Sequence, residues 1–453
     1  MSRFGSSLPS RTPTGPRSWF RGWGCAAVSG IALPLMVSTG ATAPANAQQV
    51  VNLPLEDRLL DAGFPEVYRI GDGVRDWELL TRVTSIGFDA RGNLHIGDLA
   101  GGDLSVLVVD PRGSLVVRFG QPGEGPGDFR DATHAFALPD GRTVVADDGH
   151  LAYQLFDARG GLDRWVRYPG VSEDETPPLF YVRSADPRFR KVDRWDGSLL
   201  ARVTLARTFE VDSTTREFDM QAGPGPRTVL RVRLDGDEAS ESEVARASRP
   251  DTEEDFHFAA LPGGRVAFSD TTAYLIKVTD PAGVVDRVLV RAFTPRNWDD
   301  RTAEAFRHYL RTSIDETMAV GGIRADLIGM FGGPSVLRQQ ADDWEPENAI
   351  PHVAALETTW DGTIWALRTP ARGFIDVDYI GMIETAYLST PTGLTAAGRG
   401  LIDVITPDGE YLGTIPDSRL PNAFGPDGLV AYVTLDDFDV PTVVVRRVPE
   451  GIR

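Results

Sequence analysis

Histidine and arginine side chains recur at a fixed distance before a repeated turn glycine. Three of them lie seven residues before such a glycine: His134, Arg190 and His257. A fourth, His352, lies three residues upstream of the corresponding position in a later repeat. Equivalent positions of neighbouring repeats converge on one place in a repeat fold. These four side chains therefore predict a ligand-binding site that draws on several repeats.

The repeats that must position these side chains each contain four short strands. An apolar strand turns at a glycine into a second strand that ends on aspartate, and a third strand turns into a fourth, as in residues 84–119. The first-turn glycines are Gly92, Gly141, Gly197, Gly264, Gly362 and Gly428. A single four-stranded unit cannot bury its own faces and must stack on its neighbours. The sequence thus predicts an all-β, six-bladed propeller over residues 65–450, in which Val67–Ile70 supplies the outer strand of the last blade.

One crossover between repeats resembles those of a known family. Residues 119–129 read Phe-Gly-Gln-Pro-Gly-Glu-Gly-Pro-Gly-Asp-Phe, which is similar to the blade crossover of NHL-repeat propellers. The strands in 93–109 and 143–156 also resemble the NHL pattern. The resemblance implies a secreted bacterial six-bladed propeller. In a propeller the loops that enter the innermost strands share one face with the loops after the second strands, so the ligand or partner is expected on that loop face, at the mouth of the central channel. Glycine suits such a crossover because it adopts positive φ and lets backbones approach closely.

A metal site is the alternative to a simple binding site. His134, His257 and His352 could supply the nitrogen ligands that zinc takes at about 2.0–2.1 Å, and histidines from separate blades resemble the zinc site of peptidylglycine lyase propellers. The chemistry would be that of a zinc-dependent lyase or hydrolase. Against it, His352 is offset by three residues, which reverses side-chain direction on a strand. A calcium-dependent lactonase has weaker support, because Asn93 and Asn422 are the only asparagines near the predicted site.

Recognised catalytic motifs are otherwise absent from the sequence. It has no P-loop, no dinucleotide-binding glycine pattern, no nucleophile elbow and no His-Glu-x-x-His motif. The aspartates that end second strands, Asp98, Asp147 and Asp270, are expected to accept hydrogen bonds from the backbone N–H groups of the next turn. We therefore expect a binding propeller without catalysis or cofactor, whose partner is a protein, a peptide or a small molecule.

The N-terminal residues predict export. Residues 1–47 carry four arginines, no acidic residue, a short apolar run and then Ala45-Asn46-Ala47, the pattern of a cleaved signal peptide. Cleavage removes the only cysteine and leaves 42 basic and 65 acidic residues, a net charge of −23. Such a charge disfavours nucleic acid as a partner. We expect a secreted or periplasmic monomer, not inserted in the membrane, with residues 48–64 as a linker.

Residues 294–351 interrupt the strand pattern between blades four and five. Their apolar spacing becomes helical, and Asn297 is a candidate N-cap. The insertion is attached on the predicted loop face. It is expected to form helices that either close over the channel mouth as a lid, hinged at Gly321-Gly322, or pack there as a structural cap.

Overall fold

The computed structural model describes residues 48–71, 73, 75–99, 104–169, 190–204, 208–211, 218–221, 227–248, 256–320, 333–345, 349–369, 399–436 and 440–453. The predicted signal peptide and Gly321-Gly322 lie outside these residues. Of the helices described, none is both long and apolar enough to cross a membrane.

The described strands form a six-bladed propeller of antiparallel four-stranded sheets, as the sequence predicts. In blades one to five the first strand is innermost and the last outermost. Blade one contains β3 (Val83–Phe88), β4 (Leu94–Asp98), β5 (Ser105–Val109) and β6 (Leu115–Phe119). Blade two contains β7 (Ala132–Ala137), β8 (Thr143–Asp147), β9 (Ala152–Phe156) and β10 (Leu162–Arg167). Blade three contains β11 (Arg190–Val192), β12 (Leu199–Thr204), β15 (Arg227–Arg233) and β16 (Ser240–Arg246), with the hairpin β13 (Thr208–Val211) and β14 (Phe218–Gln221) inserted.

The remaining blades depart from this plan at their edges. Blade four contains β17 (His257–Leu261), β18 (Arg265–Ser269), β19 (Leu275–Thr279) and β20 (Val285–Val290), and β1 (Gln49–Asn52) adds a fifth strand. Blade five contains β21 (Val353–Thr358), β22 (Ile364–Arg368), β23 (Gly400–Ile405) and β24 (Tyr411–Ser418). Blade six contains β25 (Ala423–Phe424), β26 (Leu429–Leu435) and β27 (Pro441–Arg447), with β2 (Glu66–Ile70) as its outer strand. Since β2 pairs antiparallel with β27, the ring closes through the N-terminal strand, as expected.

The described core consists of six buried apolar clusters, and each lies between two adjacent blades. The cluster containing Leu94 and Ala431 joins blade one to blade six. Every blade therefore buries both of its faces, which is the physical reason for the repeat. In the crossover of residues 119–129, Phe119 and Phe129 both pack against Phe156, with ring centroids 4.7 and 5.8 Å away.

Residues 48–64, predicted as a linker, instead form an ordered strap on blades four and five. Strand β1 lies parallel to β20. The strap then pairs with β24, where the N–H of Leu60 donates to the carbonyl oxygen of Thr414 at 2.8 Å. Between these points the fully buried Arg291 side chain donates to the carbonyl oxygens of Pro54 and Leu55 at 2.7 and 3.1 Å. The strap thus pairs with the outer strand of blade four and provides acceptors for a buried guanidinium.

The insertion between blades four and five contains helices α1 (Asp300–Val320) and α2 (Pro334–Asp342). Asp299, rather than Asn297, caps α1, because its carboxylate accepts the N–H of Thr302 at 2.7 Å. The ring of Trp344 packs on Trp298 and Phe306, with centroids 5.2 and 4.5 Å apart. The described part of the insertion thus has an aromatic core of its own.

Candidate functional site: the central channel

The innermost strands of all six blades line a cavity of about 200 Å³ on the propeller axis. Its lining comes from residues 84–88 and 134–137, from Lys191, Val192 and Arg194, from Ala260, from Glu357, Thr358 and Trp360, and from residues 422–424. No helix residue lines it among those described. The channel itself, rather than its helical surroundings, is therefore the candidate site.

Lys191 fastens three blades together across this channel. Its ammonium group donates to the carbonyl oxygens of Phe258 and Leu356, both at 2.8 Å, and to Glu357 Oε1 at 2.6 Å. An ammonium has three N–H donors, so all of them have acceptors. Lys191 therefore holds blade three against blades four and five, and Glu357 keeps one oxygen, Oε2, that faces no donor among the described residues.

Other polar groups of the lining also join neighbouring inner strands. The Thr358 hydroxyl donates to the carbonyl oxygen of Ala260 at 2.8 Å. The indole N–H of Trp360 donates to the carbonyl oxygen of Phe424 at 2.7 Å. These bonds stiffen the walls, because each one restrains two blades at once.

Arg194 lies at the blade-three end of the cavity. One of its N–H groups donates to the carbonyl oxygen of Thr358 at 2.7 Å. Its guanidinium carbon lies 5.6 Å from the ring centroid of Trp195 and 6.0 Å from that of Trp360. Burial lowers the pKa of Arg194 to about 10, against the opposing effect of Glu357 and Asp193. Arg194 therefore stays charged at neutral pH, and its half-buried side chain lines the cavity.

The predicted site residues occupy different places. His134, on β7, lines the cavity and stacks on Phe136 with ring centroids 5.7 Å apart. His257 begins β17 and is not part of the cavity lining. Burial, together with the nearby charges of Arg202, Lys191 and Arg227, lowers the pKa of His257 to about 3. His257 is therefore neutral at physiological pH.

His352 lies apart from the cavity, before the start of β21. Its Nε2 is 3.1 Å from the carbonyl oxygen of Thr294, and its ring packs on Phe293 with centroids 5.4 Å apart. Burial lowers the pKa of His352 despite that hydrogen bond. One of the two ring nitrogens of His352 thus contacts the backbone at the base of the insertion.

Arg190 does not share the register of His134 and His257. Arg190 pairs across the sheet with Ala201. Counting back from the turn glycine had assigned Arg190 to the strand position that lies one residue earlier in this blade. The first turn of blade three, Asp193 to Ser198, has one residue more than the Asp89 to Asn93 turn of blade one, as the closing backbone hydrogen bonds show. The assumption that the first turns of all blades have the same length is therefore wrong for blade three.

The structure does not bring His134, His257 and His352 together as one group of side chains. Within the described ranges, no three His, Cys, Asp or Glu side chains lie close enough together to hold a metal ion. Cationic side chains around His257 would also repel a metal cation. The strand-end aspartates accept backbone N–H groups, but not only from the next turn. Asp147 accepts from Gly149 of the next turn at 3.2 Å and from Asp131 at 2.9 Å, whereas Asp98 accepts from Thr81, in the loop that enters blade one, at 2.9 Å.

Sequence reasoning missed Lys191, Arg194, Glu357 and Trp360. A signal for one of them was present, because Lys191 and Lys277 are the only lysines in the sequence. Arg194 gave no such signal, since it lies in a turn among many arginines.

The fold has counterparts among solved structures. A member of the DUF4221 family from Bacteroides vulgatus shares 11% identity over 82% of this chain and 92% of its own, with a TM-score of 0.43. A candidate exported protein from Bacteroides fragilis shares 10% identity over 89% and 100%, with a TM-score of 0.41. Virginiamycin B lyase from Staphylococcus aureus shares 9% identity over 84% and 99%, with a TM-score of 0.35. No protein-family model and no curated protein matches the sequence. At these identities the similarity concerns the fold alone.

Proposed function

We propose that the mature chain is an exported, monomeric binding protein that holds a small-molecule ligand in its central channel, without a cofactor and without catalysis. One observation carries this proposal: a single cavity of about 200 Å³ is lined by all six blades. Sites for drug-sized ligands measure about 300–1,000 Å³, so the ligand is smaller than these. The bonds that join the inner strands support a preformed site, which lowers the ordering cost of binding.

Fluorine NMR of protein labelled with 5-fluorotryptophan can test where ligands bind. Trp360 lines the cavity, whereas Trp298 and Trp344 belong to the insertion. Each resonance is assigned by replacing that tryptophan with phenylalanine. We expect small ligands from a fragment library to shift the Trp360 resonance and leave the two insertion resonances unchanged.

The same spectra contain the result that would contradict the proposal. Ligands that shift Trp298 and Trp344 but never Trp360 would move the site to the loop face. A library that shifts none of the three would leave the channel without a binding role.

A further inference from the structure

We propose that the channel ligand is a small monocarboxylate with an aromatic body, whose carboxylate is bound by the guanidinium of Arg194. This inference rests on the proposed channel-binding function and names the chemistry of its ligand. It is carried by the unused donors of Arg194, the charge of the cavity lining and the aromatic groups beside it.

The hydrogen-bonding capacity of Arg194 is largely unused. A guanidinium has five N–H donors, and among the described residues only Thr358 accepts one of them. Arg194 is half-buried and lines the cavity. Its remaining N–H groups are therefore available to donate to a ligand in the cavity.

The geometry favours a planar acceptor. The two indoles of Trp195 and Trp360 lie against the guanidinium, and Thr358 holds one of its N–H groups, so the side chain is restrained. Two parallel N–H groups on the edge of a guanidinium match the two oxygens of a carboxylate. A restrained fork of this kind binds a carboxylate with little further loss of side-chain freedom.

The charge of the lining points to an anion. Lys191, Arg194 and Glu357 are the charged side chains among the described lining residues, counting histidine as neutral, and they sum to +1. The mature chain carries −23, so this positive charge is opposite in sign to that of the whole molecule. A single negative charge on the ligand would neutralise the cavity.

The rest of the lining suits an aromatic body. Phe88, Phe136, Trp360 and Phe424 all contribute to the wall. A cavity of about 150 Å³ is large enough for benzene, and this one measures about 200 Å³. One aromatic ring with a carboxylate therefore matches the available space.

Titrations of benzoate, benzamide and benzylamine, followed by the fluorotryptophan resonances and by calorimetry, can test the inference. Benzamide has nearly the shape of benzoate without its charge, and benzylamine carries the opposite charge. We expect benzoate to bind at least tenfold more tightly than either and to shift the Trp360 resonance. In Arg194→Gln the affinity for benzoate should fall at least tenfold, whereas Arg112→Gln, at a side chain that is 89% exposed, should leave it unchanged.

The outcomes separate the two proposals. If benzamide or benzylamine shifts Trp360 with an affinity equal to that of benzoate, the channel binds ligands but the preference for an anion is wrong. If none of the three probes nor any library fragment shifts Trp360, the channel-binding function fails as well. Unchanged Trp298 and Trp344 resonances in Arg194→Gln show that the variant is folded, and unaltered benzoate affinity in that folded variant would refute the role of Arg194.

Discussion

Replacing Arg291 with methionine should destabilise the propeller more than any exposed arginine substitution. The Arg291 side chain has no exposed surface, and its guanidinium lies 2.9 Å from Asp403, which is equally buried, and 2.9 Å from Asp57 in the strap. Burial alone would lower the pKa of Arg291, but Asp403 and Asp57 raise it above its ordinary value. Methionine fills much of the same space but leaves the charge of Asp403 without its main partner.

The size of the loss follows from this burial. Removing one partner of a buried ion pair costs about 3–5 kcal/mol. Unfolding entropy is about 2.1 cal/mol/K per residue, so a chain of roughly 400 residues that unfolds as one unit loses about 4–6 °C in melting temperature for that cost. Differential scanning calorimetry of a protein comprising residues 48–453 measures this shift.

Two further variants make the reasoning refutable. Arg112→Met, at an exposed site, should change the melting temperature by less than about 1 °C, since surface substitutions usually cost within 0.5 kcal/mol. The double variant Arg291→Met with Asp403→Leu removes both buried charges and should recover much of the loss. A melting temperature for Arg291→Met within 1 °C of the parent would show that the buried pair does not hold the strap and blades four and five together.

Three other predictions test separate parts of the fold. Burial lowers the pKa of His257 to about 3 in the folded protein, so as the pH falls the imidazole is protonated in the unfolded state before it is protonated in the folded state. The stability that is present above about pH 6.5 is therefore lost toward pH 4. Urea unfolding midpoints measured at pH 7, 5.5 and 4.5 should fall less in His257→Gln than in the parent protein. Gly120→Ala should lower the free energy of unfolding by about 2–4 kcal/mol, because φ is +86° and an added Cβ would lie 2.1 Å from the Phe129 ring. Gly73→Ala, where no atom lies within 4 Å of the added Cβ, should cost only the energy of the unfavourable positive φ. Equal losses of unfolding free energy in urea for the two variants would contradict the packing argument. Deletion of residues 48–72 should lower the melting temperature and promote aggregation, because it removes β2 and exposes the edge of β27, and an unchanged melt with a monomeric elution profile would count against ring closure by this strand.

The propeller could be predicted because its determinants are local and repeated. Turn glycines with positive φ, such as Gly92 and Gly141, separate short apolar strands in every blade, and a pattern with period two fixes which faces are buried. Ring closure by β2 also followed from the sequence, because that strand had no other partner. The strap was missed since its partners, Arg291 and Thr414, are more than two hundred residues away.

The site was harder to predict, because counting along a strand assumes that every turn has the same length. One extra residue between Asp193 and Ser198 moves Arg190 out of register with His134. The same turn carries Arg194, whose side chain reaches Thr358 and Trp360 of blade five. A contact between blades three and five has no sequence periodicity, since it depends on the width of the channel and on side-chain length. For that reason the repeat specifies the scaffold, whereas the irregular turn of blade three supplies the positive charge of Arg194 to the cavity lining.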